Sequence, residues 1–203
     1  MLRNAIFCLC LLLPLPAAGF DPDAVQRFLT TGLCPACDLS QADLTSFDPA
    51  VGGPVDLRAA DLSGALMHGL TLDGALLAGA NLSGATLYTT SLQQADLRGA
   101  NLTGVLGSFL LAEGADFSGA DLRGFDACYD QIFAEASFRG ADMRGATLCS
   151  TVWWKADLAG ARLEGADLTY ALELTQQQLD RACGDAATKL DGPALRVSTC
   201  ADP

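Results

Sequence analysis

The sequence is poor in the residues that most catalytic and metal sites use. It has a single histidine, His68, in 203 residues, which excludes most catalytic triads unless His68 is the base, and no serine near it lies in a recognisable nucleophile elbow. The eight cysteines are not arranged as the two close pairs of a zinc site. No G-x-x-x-x-G-K-S/T phosphate-binding loop is present. We therefore expect no enzyme activity, no bound metal and no cofactor.

Basic residues are also scarce. Twelve Lys and Arg stand against 24 Asp and Glu, which gives a formal net charge of -12. A chain this acidic is a poor direct ligand for nucleic acid, so we expect no nucleic-acid partner. The charge is still compatible with a protein that imitates nucleic acid.

The chain also lacks an apolar segment long enough to cross a membrane. The run from Ala5 to Leu15 has eleven residues, whereas a helical span needs roughly 20. Arg3 precedes it and the small residues Ala17-Ala18-Gly19 follow it, which is the pattern of a secretory signal peptide. A retained membrane anchor is the alternative. We expect cleavage after Gly19 and a secreted protein, periplasmic or extracellular, without a membrane span.

A five-residue period dominates the rest of the chain. Written in fives from Leu57, a large apolar residue recurs at one position, which we call the centre, and a mostly small residue recurs two positions earlier. The frame begins at Leu39, is interrupted by a loop over 45–54, slips by one residue between Ala127 and Phe133, and continues to Leu168. An amphipathic helix would repeat every 3.6 residues and a strand every two, so neither explains the pattern.

The repeated motif A-D/N-L-x-G, as in Ala60–Gly64 and Ala80–Gly84, resembles the pentapeptide-repeat family over about residues 38–172. The resemblance implies an all-β solenoid, a right-handed quadrilateral β-helix of four pentapeptides per turn with the centre and small residues inside. One five-residue rung cannot bury its own leucine and gains a core only by stacking, and about 25 repeats give about six coils. In three rungs the large residue stands at the small position and the small residue at the centre, and the five-residue frame is kept. These rungs contain Val105 with Gly107, Leu110 with Ala112, and Phe125 with Ala127.

The ends of a solenoid leave open strand edges that invite aggregation unless they are covered. Asp21-Pro22 begins, and Gly32 ends, a segment typical of a short helix, and Thr175 with Gln178 forms a capping box for a second helix. We expect short helical caps at both ends. The predicted segments are a signal peptide at 1–19, an N-terminal capping helix with a C-x-x-C segment at 20–38, the β-helix at 39–173, and a C-terminal capping helix and tail at 174–203.

Residues 20 apart should lie above one another, so the sequence assigns residues to faces. The first two faces carry columns of Asp and Asn just before the centre: Asp56, Asp96, Asp116 and Asp157, then Asp61, Asn81, Asn101, Asp121 and Asp142. We expect these side chains to hydrogen-bond the turns of their own coils. The alternative, suggested by the resemblance to cytoplasmic members that bind DNA gyrase, is a DNA-mimic inhibitor of a topoisomerase. Export and the interleaved arginines count against it.

The third and fourth faces depart from the repeat consensus. Aromatic residues and the histidine point outward on the third face, and apolar residues on the fourth: His68, Tyr88, Phe109, Tyr129 and Tyr170, then Leu111, Ile132, Val152 and Trp154. Phe109 and Tyr129 should stack on adjacent coils. Exposed aromatics anchor protein interfaces, so this side is the predicted interaction surface for an unidentified protein partner. Alternatively a terminal helix, the loop 45–54 or a second copy of the chain, as a homodimer, covers it.

Six cysteines remain after removal of the leader, and an even number in an exported chain suggests disulfides. In the coil that the resemblance implies, the pairs are Cys34 with Cys37, Cys128 with Cys149 one coil on, and Cys183 with Cys200. The C-x-x-C spacing also suits a redox dithiol, although it lacks the βαβ setting of such pairs. The main hypothesis is an exported non-catalytic interaction or scaffold module. A redox-active envelope protein using Cys34 and Cys37 is the alternative.

Overall fold

A computed structural model describes residues 20–48, 50, 54–191 and 194–200. The predicted signal peptide, residues 1–19, lies outside the described residues, as do positions 49 and 51–53 of the predicted loop. Within the described ranges, none of the helices combines the length and apolar character that crossing a bilayer requires.

Regular elements are short. Helix α1 spans Pro22–Thr31 and helix α2 spans Gln176–Leu179. Six two-residue strands form three parallel pairs: β1 (Gln131–Ile132) with β2 (Thr151–Val152), β3 (Asp167–Leu168) with β5 (Lys189–Leu190), and β4 (Cys183–Gly184) with β6 (Ser198–Thr199). Isolated parallel bridges make up the remainder of the pairing, as expected for rungs of only five residues.

The bridges form four columns, one for each predicted face. They connect Asp56, Leu76, Asp96, Asp116, Ser137 and Asp157 on the first face, and Asp61, Asn81, Asn101, Asp121, Asp142 and Arg162 on the second. The third column runs through Leu66, Thr86, Leu106, Asp126, Thr147 and Asp167, and the fourth through Thr71, Ser91, Leu111, Ile132, Val152 and Leu172. The predicted face assignments are therefore confirmed.

The interior is the predicted ladder of centre and small residues. Leu62, Leu82 and Leu102 are completely buried, and the exchanged pairs, such as Phe125 with Ala127, are buried just as fully. Aromatic residues fill the later coils, where Phe117 stacks on Phe138 with ring centroids 4.8 Å apart and Phe138 contacts Trp153 at 5.3 Å. Removing this surface from water is the main stabilising contribution.

One coil is a residue longer than its neighbours. Leu106 bridges Asp126, 20 positions on, whereas Leu111 bridges Ile132, 21 positions on, so the predicted slip lies between Asp126 and Ile132. The extra residue is accommodated by two consecutive left-handed residues, Tyr129 (φ 86°) and Asp130 (φ 52°). It therefore stays within one corner of the coil.

Helix α1 packs on the N-terminal end of the solenoid. Its N-cap Asp21 accepts from the Asp23 N–H, and Gly32 ends it in a left-handed conformation (φ 70°). Phe28 is fully buried, and its ring stacks on that of Phe47 at 4.5 Å between centroids. Phe47 lies in the segment 45–54 that interrupts the repeat, so this segment and α1 share an apolar contact.

Helix α2 lies in the last coil, between the fourth and second faces. The predicted capping box is present: the Gln178 N–H donates to the Thr175 hydroxyl oxygen, and the Thr175 N–H donates to Gln178 Oε1 at 2.8 Å. The Gln178 amide also donates to the carbonyl of Trp153 at 2.7 Å, which ties α2 to the coil before it. Leu179 is fully buried.

Candidate functional site

The predicted aromatic residues lie along one corner of the solenoid. His68, Tyr88, Phe109, Tyr129 and Tyr170 all follow the third-face bridges and are exposed. Tyr88 is 41 %, Phe109 51 %, Tyr129 64 % and Tyr170 70 % exposed. We call these five residues the aromatic corner. Neither α1, α2 nor the described residues 45–48, 50 and 54 of the loop cover it.

The predicted stacking of Phe109 on Tyr129 is wrong in one respect. The two residues do lie on adjacent coils, because the Phe109 N–H donates to the Tyr129 carbonyl at 3.2 Å. Their rings, however, do not form one of the close ring pairs found among the described residues. The longer coil explains the difference, since Tyr129 occupies its two-residue left-handed corner.

Three residues of the aromatic corner stand where the repeat normally has glycine. Gly104 (φ 63°) and Gly114 (φ 67°) end their rungs in the left-handed region, and Phe109 takes the same conformation between them (φ 58°). Tyr129 (φ 86°) and Tyr170 (φ 58°) do likewise. For a residue with a Cβ this conformation costs about 1–2 kcal/mol. The aromatic side chains at these positions are therefore held at a cost that glycine would avoid.

An apolar column runs beside the aromatic corner on the fourth face. Leu111, Ile132, Val152 and Leu172 occupy one bridge position in four successive coils, where the second face has Asn, Asp or Arg. Leu111 and Leu172 are exposed. We call these four residues the apolar column.

Two further exposed leucines were missed by the sequence reasoning. Leu66 and Leu106 occupy the bridge position of the third face and are about as exposed as Tyr88. The signal was present in the sequence, because both stand just before a centre residue, where most rungs of the first two faces carry acidic or amide side chains.

Trp154 lies at the other edge of the fourth face, so the structure does not bring it together with the aromatic corner. The Lys155 ammonium lies 4.0 Å from the Trp154 ring centroid and 3.4 Å from Glu135 Oε1. A groove of about 610 Å³ separates this rung from α2, with Glu173 and Arg181 on its walls. Charges of both signs line the groove.

The acidic columns bond to their own turns, as predicted. Asp61 Oδ1 accepts the Ser63 N–H at 3.0 Å, and Asp116 Oδ1 accepts the Ser118 N–H at 2.9 Å. On the second face the amides also connect coils: Asn81 Nδ2 donates to Asp61 Oδ1 and Asn101 Nδ2 donates to Asn81 Oδ1, both at 3.0 Å. These side chains therefore satisfy backbone and ladder groups and are not free phosphate-like charges.

Arginines neutralise much of the remaining acidic surface. Arg58 pairs with Asp56 at 2.6 Å, and Arg123 with Asp121 at 2.7 Å. The hydrogen bond from Arg123 lowers the pKa of Asp121 below its ordinary value of 3.8. Arg144 acts in the same way on the pKa of Asp142. Acidic side chains on these two faces thus lie next to arginine side chains.

The structure forms three disulfides. They join Cys34 to Cys37, Cys128 to Cys149 and Cys183 to Cys200, with Cα atoms 5.4, 4.8 and 4.7 Å apart. Cys34 and Cys37 fill a centre and a small position at the mouth of the first coil, and both are buried. Cys183 lies in β4, and the Cys200 N–H donates to the Gly184 carbonyl at 3.2 Å, so this disulfide joins β4 to the residue that follows its partner strand β6 and does not involve α2.

The C-x-x-C pair has a contact that sequence reasoning missed. Arg27 Nη2 lies 2.7 Å from Cys37 Sγ and 3.3 Å from Cys34 Sγ. The contact depends on how α1 docks on the first coil, which the sequence does not specify. One cluster of potential metal ligands occurs in the described ranges, Glu164 with Cys183 and Cys200, but its two sulfur atoms are bonded to each other.

Known proteins share both the five-residue repeat and the coil that it forms. The family model for pentapeptide repeats (8 copies) matches residues 56–94, 67–104 and 136–171. Two trypsin-treated variants of QnrB1, a plasmid-mediated fluoroquinolone resistance protein, match with a TM-score of 0.58 each. One is 23% identical over 70% of this chain and 76% of that chain, the other 21% identical over 83% and 81%.

Another similar solved structure is alr5209, a pentapeptide repeat protein from Nostoc Pcc 7120, at 30% identity over 61% of this chain and 79% of that chain with a TM-score of 0.17. A comparison with curated proteins found no significant match. The likeness to QnrB1 shows a common fold, a right-handed β-helix solenoid. At this identity it does not transfer a function.

Proposed function

Because this chain belongs to the pentapeptide-repeat family, we propose that it is an exported, non-catalytic protein-interaction module that binds a protein partner through the aromatic corner and the apolar column. In this proposal residues 1–19 are a signal peptide and the mature protein is secreted. Residues 20–38 and 174–203 cap the two ends, and residues 39–173 form about six coils.

The observation that carries the proposal is the contrast between faces. The first two faces present Asp, Asn and Arg side chains that bond to one another and to their turns. The third and fourth faces instead leave Tyr88, Phe109, Tyr129 and Leu172 exposed in different coils of the solenoid. Several large apolar and aromatic side chains exposed on one side of a protein are typical of an interaction site.

The backbone at three of these positions provides a clean test. Phe109, Tyr129 and Tyr170 take left-handed conformations that glycine adopts elsewhere in the repeat, as do ten other described non-glycine residues, among them Ala36 and Gln94. Glycine at the three aromatic positions therefore removes the ring and relieves the backbone.

The test compares the protein with a Phe109→Gly plus Tyr129→Gly variant. Tagged proteins are used to capture partners from an envelope fraction, and the captured proteins are quantified by mass spectrometry. We expect at least one partner to be lost from the variant, because exposed aromatics carry most of the binding energy of such surfaces. Thermal unfolding of the variant should not be lowered, since glycine suits both positions.

A matched control removes an exposed apolar side chain elsewhere. Leu33, at the N-terminal end of the solenoid, is 46 % exposed, and Leu33→Ser should recover every partner. Equal recovery of all partners by the double variant and the wild-type protein would overturn the proposal. Recovery of only the protein's own chain would identify the occupant as a second copy.

The ion-paired acidic columns separate this proposal from a DNA mimic. A DNA-like surface needs rows of unpaired negative charge, whereas Asp56, Asp96, Asp121 and Asp142 each bond to an arginine two residues on. We expect the mature protein to leave gyrase supercoiling unchanged. Inhibition at stoichiometric concentration would instead favour the topoisomerase hypothesis.

A further inference from the structure

We propose that Cys34 and Cys37 form a reversible disulfide at the mouth of the first coil, and that Arg27 holds the thiolates released on its reduction. The inference goes beyond the interaction surface and does not depend on it, because the pair lies at the N-terminal end, on the corner between the first two faces. The co-reactant is a thiol, either a low-molecular-weight thiol or a protein dithiol.

The contact between Arg27 and the two sulfur atoms distinguishes the oxidised from the reduced state. One guanidinium nitrogen lies 2.7 Å from Cys37 Sγ and 3.3 Å from Cys34 Sγ. A disulfide sulfur is only a weak acceptor, whereas a thiolate accepts a charge-assisted hydrogen bond. A neighbouring cation also favours the thiolate over the thiol. Arg27 therefore stabilises the reduced pair more than the disulfide.

The other two disulfides lack this arrangement. Among the side-chain hydrogen bonds of the described residues, no Lys or Arg donates to the sulfur of Cys128 or Cys149. Near Cys183 and Cys200 a carboxylate, Glu164, lies within 4.8 Å of both sulfur atoms and is paired with Arg162 at 2.5 Å. This arginine bonds to the carboxylate and not to a sulfur atom. Among the three described disulfides, a cation bonded to the sulfur atoms therefore favours reduction at Cys34 and Cys37.

The position of the pair allows reduction without loss of the fold. The disulfide joins residues only three apart, whereas the others join residues 21 and 17 apart, so opening it releases the shortest loop. Cys34 and Cys37 occupy inward positions that other rungs fill with Leu and Ala, and two thiols still fill them. Cys34 is fully buried, whereas Cys37 is 9 % exposed beside the exposed residue Arg27, so Cys37 Sγ is the sulfur that an incoming thiol attacks.

Reduction consumes two thiols. The first, as a thiolate, attacks Cys37 Sγ, which forms a mixed disulfide and breaks the bond to Cys34, whose sulfur leaves as a thiolate beside Arg27. A second thiolate attacks the outer sulfur of the mixed disulfide and releases Cys37 as a thiolate, also beside Arg27. The products are the protein dithiol and one molecule of the oxidised thiol, and the reverse sequence restores the disulfide.

The test equilibrates the intact protein with glutathione buffers of decreasing redox potential at pH 7. Free thiols are trapped by alkylation, and the reduced fraction of each of the three pairs is measured by mass spectrometry. We expect Cys34 and Cys37 to be reduced first, while circular dichroism stays unchanged. Arg27→Gln should lower the equilibrium constant for reducing this pair about tenfold, a shift of about 30 mV, and Arg27→Lys should retain most of it.

The control is Arg58→Gln, which removes another exposed arginine from the N-terminal coils without touching a sulfur atom. It should leave all three pairs unchanged. Simultaneous reduction of the three pairs, or reduction of Cys34 and Cys37 only after the circular dichroism signal is lost, would overturn the proposal. If Cys34 and Cys37 are reduced first and Arg27→Gln does not change this, the role proposed for Arg27 is wrong.

Discussion

The backbone N–H of Leu110 donates to Gln131 Oε1 at 2.6 Å, across the boundary between a coil of normal length and the coil that is one residue longer. Gln131 is the residue at the small, inward position of its rung and is fully buried. Its amide also donates to the carbonyl of Tyr129, on the corner that contains the extra residue. A buried side chain thus satisfies backbone groups that the insertion would otherwise leave unpaired.

Replacing this glutamine should destabilise the protein more than its size suggests. Gln131→Met keeps the volume but leaves the Leu110 N–H buried without an acceptor, which costs roughly 1–3 kcal/mol. Urea unfolding measures the loss. Leu87→Met, a volume-conserving change at a fully buried centre position, serves as the control and should cost under about 1.5 kcal/mol. Equal losses would show that the amide adds nothing.

The exchanged pair of Phe125 and Ala127 predicts strong coupling between neighbouring inward positions. Phe125→Ala alone should cost about 3–5 kcal/mol through the cavity it leaves, and Ala127→Phe alone about 1–3 kcal/mol through overpacking. The double variant restores the usual order of Ala115 and Phe117 and should be more stable than either single variant. A double-mutant cycle measured by chemical unfolding checks this, and purely additive effects would contradict it.

The amide ladder of the second face predicts an effect that depends on pH. Asn81→Asp replaces the donor to Asp61 with a second carboxylate, which should cost roughly 1 kcal/mol at pH 7. Two facing carboxylates raise the pKa of one of them. At pH values above this raised pKa both carboxylates are charged, and their repulsion destabilises the folded variant. The variant should therefore approach the wild-type protein in stability as the pH falls from 6 to 4.

Unfolding midpoints across this pH range measure the approach. Asn81→Ala removes the hydrogen bond to Asp61, together with those that Asn81 Oδ1 accepts from Ser83 and Asn101, and adds no charge. Its difference in stability from the wild-type protein should therefore stay nearly constant with pH. A constant difference for Asn81→Asp as well would argue against contact between residues 61 and 81 in solution.

The arginine pairs predict how acid acts on the second face. The hydrogen bond from Arg144 lowers the pKa of Asp142 below 3.8, so the stabilisation is complete above the unfolded pKa and is lost as the pH falls through the lower folded value. Arg144→Gln should raise the pKa of Asp142, as followed by NMR of its carboxyl carbon. Arg196→Gln, whose arginine forms none of the ion pairs in the described ranges, should leave that pKa unchanged.

The sequence predicted the coil well because burial follows directly from its period. Leu62 and Leu82 could hardly lie elsewhere once a rung of five residues must stack to gain a core. The outward direction of Tyr88 and Tyr170 followed from the same register. The sequence also predicted one extra residue, between Ala127 and Phe133, and the bridges of the structure place it between Asp126 and Ile132.

The sequence could not predict contacts that depend on how elements dock in three dimensions or on the direction of a side chain. The position of Arg27 over the disulfide depends on the angle at which α1 packs on the first coil. The role of Gln131 depends on which backbone groups the longer corner leaves unpaired. The rings of Phe109 and Tyr129 fail to stack because that corner changes the local backbone. A prediction based on a repeat of fixed length does not include this change.

The bridge columns have a consequence for how the chain folds. Most bridged partners lie about 20 residues apart, and the longest separation in a column is 23. The entropy of closing each coil is therefore nearly the same from one end to the other. Such a chain can grow coil upon coil from an already folded turn, and its folding rate should depend little on how many coils it has.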